Sequence, residues 1–390
     1  MKIDKQSLIG IIGTGTMGTG IAQVAATAGH KVLVYDKSSE ALLNARHSLV
    51  KIMNRLVEKE KLSQGEADTI LNRIEYVDGL SRFEGCSLVI EAVIESLDVK
   101  KQIFHQLESV TNSNTVLASN TSSLSIASIS GALKDKSRII GLHFFNPAPL
   151  MKLVEIVPAL STRPEITQAC KDMLISWNKV TVTAKDTPGF IVNRVARPFY
   201  SESIKMLEEG IADAVTIDYA LKEVGGFRMG PFELMDLIGN DVNYTVTETV
   251  WTQMFYDPKY KPSITQKRLK EAGLFGKKTG KGFHNYGENA DATEPIKDRV
   301  LLNEITNRVV TMLINEAADA LFYNIASSDD IDLAMTKGVN YPKGLLKWAN
   351  EIGLDKTLRH LEDLQNYYGD DRYRPSIILK EYVKKERNFK

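Results

Sequence analysis

Cysteine is scarce in this sequence, because its 390 residues include only Cys86 and Cys170. Two cysteines cannot build a disulfide framework, and neither stands in a metal-ligand spacing, so the sequence indicates a reducing compartment. The six histidines contain no pair with the spacing of a zinc site. We therefore expect a cytoplasmic protein that binds no metal.

An excess of one charge is also missing, since Lys and Arg together number 49 and Asp and Glu together number 49. This balance gives no indication of a nucleic-acid or membrane partner. The most apolar window, residues 87–97, is short and contains two glutamates, whereas a membrane span needs about 20 apolar residues. Charges near the N-terminus interrupt any signal-peptide core. We therefore expect neither a leader nor a transmembrane helix.

The first half of the chain contains a regular alternation of predicted strands and helices. Residues 8–12 (LIGII) form an apolar run typical of a strand buried on both faces, and a helix follows that ends at Gly29. Further strands are predicted at 31–35, 88–92 and 115–118. This alternation predicts an α/β fold with a parallel, doubly wound sheet of the Rossmann type.

Beyond residue 186 the strand candidates vanish, the pattern becomes helical, and an internal repeat appears. A gap-free shift of 114 residues places Asn193-Arg194-Val195 on Asn307-Arg308-Val309, Glu202 on Glu316, Ile217-Asp218 on Ile331-Asp332, and Gly230, Gly239 and Asp241 on Gly344, Gly353 and Asp355. A polar stretch at 287–295 indicates a linker between the copies. The prediction is a Rossmann-type domain over 1–187 followed by two all-α helical domains, over 188–290 and 291–390.

A glycine-rich motif, Gly13-Thr14-Gly15-Thr16-Met17-Gly18, lies between the first predicted strand and the first predicted helix. In this context Gly13 permits a tight turn, Gly15 admits a pyrophosphate and Gly18 lets helix and strand pack closely. Asp36, at the end of the second strand, can accept hydrogen bonds from an adenosine ribose. The motif therefore predicts bound NAD at Gly13, Gly15, Thr16, Met17, Gly18 and Asp36.

A histidine and a glutamate face each other across a predicted hairpin. Residues 139–157 (IIGLHFFNPAPLMKLVEIV) contain two apolar runs around Asn-Pro-Ala-Pro, and the prolines exclude a helix. A reversal centred on Pro149 sets His143 opposite Glu155, because each is six residues from the centre. Cross-strand partners lie close enough for a carboxylate to hold an imidazole, which is the arrangement that a general base needs.

Several motifs in order resemble one known family. They are GxGxxG, SNTSSL at 119–124, HFFNP at 143–147, MKLVE at 151–155, DTPGFIVNR at 186–194, MGPFELMD at 229–236 and FGKKTGKGF at 275–283. Together they resemble the L-3-hydroxyacyl-CoA dehydrogenases, including the short-chain 3-hydroxybutyryl-CoA enzymes, over residues 8 to about 286. The resemblance implies NAD-dependent oxidation of an L-3-hydroxyacyl-CoA to the 3-oxoacyl-CoA, and the reverse, in β-oxidation or related acyl-CoA metabolism.

The resemblance also implies roles for particular side chains. His143 would be the general base, Glu155 would orient it, and Ser122 and Asn193 would hydrogen-bond the substrate oxygen. It implies contacts to NAD at Glu95, Lys100, Asn146 and Lys278, and a contact to the coenzyme A phosphates at Lys59. Structural readings stay open for two of these residues: Ser122 as a turn serine and Asn193 as a helix-start residue.

The second helical copy departs from the short family members, which end near residue 286. It keeps the fold signature but lacks TPGF and FGKKTG, so we expect no second active site there. In the short enzymes the resemblance implies that the helical domain forms a homodimer contact. We therefore expect the second copy to pack on the first as an internal pseudo-dimer, with assembly into homo-oligomers left open.

Two other functions are alternatives that the sequence leaves open. A dehydrogenase of a free hydroxy acid or sugar acid, similar to gulonate 3-dehydrogenase, would share the same four polar residues. A non-catalytic NAD-binding or structural protein is disfavoured by the intact set of Ser122, His143, Glu155 and Asn193. Acyl chain length and a dicarboxylic substrate are not settled by any residue.

Overall fold

A computed structural model describes residues 2–287 and 293–390 of the chain. It divides the chain into two compact units, residues 1–187 and 188–390, and both helical copies belong to the second unit. The predicted boundary between the copies, at 290/291, lies outside the described residues. Within the described ranges, no helix is long and apolar enough to cross a membrane.

One eight-stranded sheet forms the centre of the first unit. Its strands are β1 (Ile9–Ile12), β2 (Val32–Tyr35), β3 (Ile74–Tyr76), β4 (Leu88–Glu91), β5 (Val116–Ser119), β6 (Ile139–Phe144), β7 (Leu153–Pro158) and β8 (Val180–Thr183). They lie in the order β3-β2-β1-β4-β5-β6-β7-β8, and every neighbouring pair is parallel except β6 and β7. The predicted parallel, doubly wound sheet is confirmed, and its first six strands have the Rossmann order.

Helices cover the sheet and bury its apolar strands. They are α1 (Thr16–Thr27), α2 (Ser39–Glu58), α3 (Gln64–Asn72), α4 (Leu97–Val110), α5 (Ile126–Ser130) and α6 (Pro164–Ser176). Strands β1, β4 and β5 are buried along their whole length, as their continuous apolar runs predict. The C-terminal ends of these strands lie at one edge of the sheet, where ligands bind in this class of fold.

The second unit is mainly helical in its described part, which also contains the isolated β-bridges Gly276–Lys281 and Lys281–Asn285. Its first copy contains α7 (Val192–Val195), α8 (Arg197–Glu208), α9 (Ala214–Glu223), α10 (Pro231–Ile238), α11 (Asn240–Gln253) and α12 (Ile264–Glu271); its second contains α13 (Arg299–Phe322), α14 (Ser328–Gly338), α15 (Leu345–Ile352), α16 (Leu354–Tyr368) and α17 (Ile377–Lys384). Helix α13 corresponds to α7 and α8 together. Pro198 stands at the start of α8 and separates these two helices, because proline cannot continue the hydrogen-bond ladder.

The two copies repeat the same internal contacts. In the first, the buried carboxylate of Asp218 accepts from the backbone N–H groups of Phe232 (2.8 Å) and Glu233 (3.1 Å). In the second, Asp332 accepts from the backbone N–H groups of Leu346 and Lys347 at the same two distances. The aspartates therefore fix the entry to α10 and to α15 in the same way.

Buried ion pairs join the copies reciprocally. Arg194 of the first copy donates to Glu316 of the second at 2.8 Å, and Arg308 of the second donates to Glu202 of the first at 3.1 Å. All four side chains are buried. Because Arg308 and Glu316 are the repeat counterparts of Arg194 and Glu202, this is the isologous pattern of a two-fold interface, formed within one chain.

Candidate active site

The glycine motif forms the turn between β1 and α1. Gly13 has a φ of +96°, which side-chain-bearing residues rarely adopt. A Cβ on Gly18 would lie 1.9 Å from the carbonyl oxygen of Gly13, so the close packing predicted for this glycine is observed. A Cβ on Gly15, by contrast, would meet no atom within 4 Å. The protein itself gives no reason for a glycine at position 15, and the open space before it fits a bound pyrophosphate.

The start of α1 offers unpaired backbone N–H groups to an anion. Gly15 is the N-cap residue, no side chain caps the helix, and no acidic residue lies in its first turn, which begins with Thr16 and Met17. Asp36 follows β2 and approaches the same turn. Its carboxylate accepts from the backbone N–H of Thr14 (2.9 Å) and from the Thr14 hydroxyl (3.0 Å). These residues fit a dinucleotide bound over the ends of β1 and β2.

The predicted hairpin and its register are confirmed. Strands β6 and β7 are antiparallel, with His143 paired to Glu155. His143 Nδ1 donates to Glu155 Oε2 over 2.6 Å, and both side chains are buried. The Phe145 ring packs against the imidazole with 4.4 Å between centroids. A buried carboxylate therefore fixes the orientation of the histidine ring.

Ser122 lies in the loop that follows β5, and Glu95 holds this loop. One oxygen of Glu95 accepts from the Thr121 hydroxyl (2.5 Å) and from the backbone N–H groups of Ser122 and Ser123 (3.0 Å each). At the other end of the loop, the Asn120 side chain accepts from the backbone N–H of Phe144 at 2.9 Å. The loop is thus attached to both neighbouring segments, one of them the strand of the histidine.

Lys100 is buried instead of facing solvent. Its ammonium lies 2.6 Å from Glu91 and 3.4 Å from Glu95. Glu91 in turn accepts from the Ser119 hydroxyl at 2.7 Å. The contact of Lys100 with NAD stays a prediction, and the observed partners of this lysine are the two carboxylates beside the loop of Ser122.

A large groove runs along α1 and α2. Its volume is about 1120 Å³, and residues 147–150, 152 and 176–179 also line it. Three lysines line it, Lys61, Lys152 and Lys179, and no Asp or Glu is found among the described residues around it. Lys59 is exposed at the C-terminal end of α2 and does not line the groove. The groove can therefore accept an extended anionic ligand, with Lys61 placed better than Lys59 to contact it.

Lys179 was not anticipated from the sequence. Its side chain is buried, and its ammonium donates to the carbonyl oxygens of Ala148 (2.5 Å) and Met151 (2.7 Å). Burial lowers the pKa of this lysine to about 8, and neighbouring Lys152 acts in the same direction. Lys179 thereby fixes the connection between β6 and β7, in which exposed Asn146 lies.

The remaining predicted residues belong to the second unit. Asn193 lies in α7 and is half-buried. Lys278 is partly exposed and forms a bidentate contact with Asp241, at 2.6 and 2.7 Å. Among the described residues, no group of three or more His, Cys, Asp or Glu side chains is arranged to hold a metal ion.

His30 is a second histidine of the first unit with well-defined partners. It is buried, its Nδ1 contacts the carbonyl oxygen of Ser7 at 3.0 Å, and Trp177 donates to its Nε2 at 2.9 Å. Burial lowers the pKa of His30, which keeps the ring neutral. His30 is therefore a structural residue, and its partner Trp177, which lies 147 positions away, gave no local signal.

The Rossmann strand order, the glycine turn with Asp36 and the His143–Glu155 pair together define an NAD-dependent dehydrogenase. Comparison with known proteins gives the family. The description "3-hydroxyacyl-CoA dehydrogenase, NAD binding domain" matches residues 8–187, and "3-hydroxyacyl-CoA dehydrogenase, C-terminal domain" matches 189–286 and again 305–390. The chain belongs to the 3-hydroxyacyl-CoA dehydrogenase family, and it is an NAD-dependent oxidoreductase.

Individual relatives cover the chain to different extents. A 3-hydroxyadipyl-CoA dehydrogenase of Escherichia coli K12 is 38% identical, with 98% of each chain covered. The structure of a 3-hydroxybutyryl-CoA dehydrogenase from Escherichia coli K12 matches with a TM-score of 0.94 at 36% identity, covering 98% of this chain and 99% of that one. The (S)-3-hydroxybutyryl-CoA dehydrogenase of Ralstonia eutropha, also 36% identical, has a TM-score of 0.70 and covers 73% of this chain and 100% of its own.

Proposed function

We propose that the protein interconverts a short-chain L-3-hydroxyacyl-CoA and its 3-oxoacyl-CoA, with NAD as cofactor. The observation that carries this proposal is the 2.6 Å contact between buried His143 and Glu155. The acyl group is part of the proposal, since the similar proteins are named for both butyryl and adipyl substrates. Two unpaired, buried thiols, Cys86 and Cys170, support a cytoplasmic location.

His143 is the proposed base for the 3-hydroxyl proton. Because Glu155 holds Nδ1, the proton passes through the second ring nitrogen, Nε2, and the carboxylate stabilises the positive charge that develops on the ring. Ser122 is the proposed donor to the substrate oxygen, supported by its rigidly held loop. For Asn193 the support is the family motif alone. NAD, when bound, supplies the two-electron acceptor for the substrate carbon.

The groove beside α1 is the proposed site of the coenzyme A moiety. Coenzyme A carries several phosphates, and the groove is lined by Lys61 and Lys152, with no Asp or Glu among its described lining residues. We propose these two lysines as phosphate contacts. Lys59, the residue that the family motif suggested, is an outer contact at most, because it lies outside the groove lining.

Substrate kinetics test the proposed function. We expect NADH to be oxidised rapidly by acetoacetyl-CoA and at least ~100-fold more slowly by free acetoacetate, since the free acid forgoes the binding energy of the coenzyme A groove. Absorbance of NADH at saturating cofactor would measure both. Equal kcat/KM for the two compounds would instead support the alternative, a dehydrogenase of free hydroxy acids.

We also propose that the two helical copies form an internal pseudo-dimer, with residues 188–290 and 291–390 as its halves. The reciprocal pairs Arg194–Glu316 and Arg308–Glu202 support it, since each copy neutralises the buried arginine of the other. The two copies should therefore unfold together, in one calorimetric transition. Separate transitions for the two copies would contradict the proposal.

Two glycines of the NAD turn should respond differently to the same substitution. Gly15→Ala adds a Cβ into open space, so we expect unchanged thermal unfolding but NAD affinity lowered by about tenfold or more, because the methyl group meets the cofactor. Gly18→Ala places its Cβ against the carbonyl of Gly13, and we expect it to cost about 1–3 kcal/mol of unfolding free energy. Calorimetry and NADH fluorescence titration would measure these effects.

Gly65→Ala is the matched control for this pair. Gly65 lies in the first turn of α3, and its added Cβ would also meet nothing within 4 Å. We expect it to leave both stability and NAD affinity nearly unchanged. If Gly15→Ala bound NADH as tightly as Gly65→Ala does, the cofactor would not pass over the turn.

A further inference from the structure

The carboxylate of Glu95 forms an unusually dense set of contacts with one loop. Its Oε1 accepts from the Thr121 hydroxyl (2.5 Å), the backbone N–H groups of Ser122 and Ser123 (3.0 Å each) and the Ser123 hydroxyl (3.0 Å). Two successive backbone N–H groups that converge on one anion form a nest, and hydrogen bonds to a charged acceptor are stronger than neutral ones. Glu95 therefore helps to fix the conformation of residues 121–123, together with the Ser119 hydroxyl, which accepts from the backbone N–H of Thr121 at 3.3 Å.

Glu95 is kept ionised for this task. Burial opposes the charge, but Lys100 and the hydrogen bonds from Thr121, Ser123 and Ser122 outweigh it, so the pKa of Glu95 lies below its usual range. Lys100 lies 3.4 Å from Oε2, on the side away from the loop. The same lysine contacts Glu91, which holds Ser119 at the start of the loop. Glu95 itself is partly exposed, and Lys100 links it to the buried carboxylate of Glu91.

The position of Glu95 in the fold connects two parts of the site. It follows β4, and the order of the strands reverses between β1 and β4, which is where a dinucleotide binds in this fold. The segment after β4 also touches the glycine turn, because a Cβ on Gly13 would lie 2.7 Å from the carbonyl oxygen of Ala92. From this crevice Glu95 reaches across to the loop after β5, which carries Ser122.

We infer that Glu95 is a positioning residue that sets the place of Ser122 for the substrate oxygen. The inference rests on the proposed role of Ser122 as a donor to that oxygen. Glu95 accepts the backbone N–H of Ser122 and lies 3.4 Å from its hydroxyl oxygen, so removing the carboxylate releases the loop without removing the donor. The loss should fall mainly on kcat, since a misplaced donor weakens the transition state more than binding of the long coenzyme A moiety.

A double-mutant cycle tests the inference, with kcat for acetoacetyl-CoA reduction as the measured quantity. Saturating NADH is used so that weaker binding of the cofactor does not lower the measured kcat. We expect Ser122→Ala to lower kcat by about 100-fold and Glu95→Ala by about tenfold. If Glu95 acts through Ser122, the double variant should be no more than about twofold slower than Ser122→Ala alone. Should Glu95→Ala be unfolded at the assay temperature, Glu95→Gln replaces it in the same cycle.

Glu108 provides the matched control. It lies on α4, and its carboxylate likewise accepts two backbone N–H groups of a loop, those of Lys134 (2.9 Å) and Asp135 (2.8 Å). We expect Glu108→Ala to leave kcat within about twofold and to combine additively with Ser122→Ala. A general loss of rigidity would instead affect both glutamate variants alike.

The results separate two failures. Additive losses for Glu95→Ala and Ser122→Ala, giving about a thousandfold in the double variant, would overturn the inference and leave the proposed function standing. Unchanged kcat in Ser122→Ala would remove the proposed role of Ser122, and with it this inference, while the dependence on His143 could still hold. A double variant as fast as Ser122→Ala supports the inference.

Discussion

Replacing His143 with glutamine is expected to lower kcat for acetoacetyl-CoA reduction by about 10²–10⁴-fold, with the fold retained. Glutamine keeps an amide that can still donate to Glu155, so the buried carboxylate is not left without a partner. What disappears is the ring nitrogen that exchanges the substrate proton. Steady-state kinetics at saturating NADH and acetoacetyl-CoA, together with thermal unfolding, would measure the effect.

His105→Gln is the control for this substitution. His105 is exposed on α4, so the same chemical change there should alter neither kcat nor the unfolding temperature. If His143→Gln retained activity within about fivefold of the parent, the proposed base would be wrong, because general acid–base catalysis contributes at least ~100-fold.

Arg308→Met is expected to cost about 3–5 kcal/mol of unfolding free energy, the usual loss when one partner of a buried ion pair is removed. Arg308 on α13 donates to Glu202, to both oxygens of Glu209, and to the hydroxyls of Tyr368 and Tyr373. Methionine fills a similar volume but leaves Glu202, which is fully buried, short of one positive charge. Urea denaturation would give the difference.

Arg359→Met tests the same change at the surface of the same copy. Arg359 and Asp355 lie 2.6 Å apart on α16, but their side chains are 68% and 59% exposed. Exposed pairs at this spacing contribute only about 0.3–0.5 kcal/mol, so Arg359→Met should change little. Equal losses from the two substitutions would mean that the pairs between the copies do not stabilise the second unit.

The histidine–glutamate pair could be predicted because its signal is local. Prolines mark the reversal, and two apolar runs of similar length leave one register for the hairpin, so the pairing of His143 and Glu155 follows from counting. Strands β3 and β8 were not predicted. The first has only three residues, too few to show a period. The second (Val180–Thr183) does alternate Val with Thr, but it is a short edge strand of four residues, and this strand signal was overlooked.

The hydrogen bonds that Glu95 accepts from the Ser122 loop could not be predicted from the sequence. Glu95 is 26 to 28 residues away from the groups that it holds, and the family resemblance implies a contact with NAD for it instead. The contacts between the two helical copies could not be predicted from the repeat either. It aligned Arg194 with Arg308 and Glu202 with Glu316, but an alignment of equivalent positions does not state which of them touch. Contacts of this kind are set by how distant segments pack.

Holding both helical copies in one chain has a consequence for how their contact surface can change. In an assembly of two identical chains every substitution occurs twice, whereas here each side can diverge by itself. Glu209 accepts hydrogen bonds from Arg308. Its position is occupied in the second copy by Tyr323, whose ring lies 5.8 Å from the guanidinium of Arg194. The contact between the two copies also does not depend on protein concentration, because both copies belong to a single polypeptide.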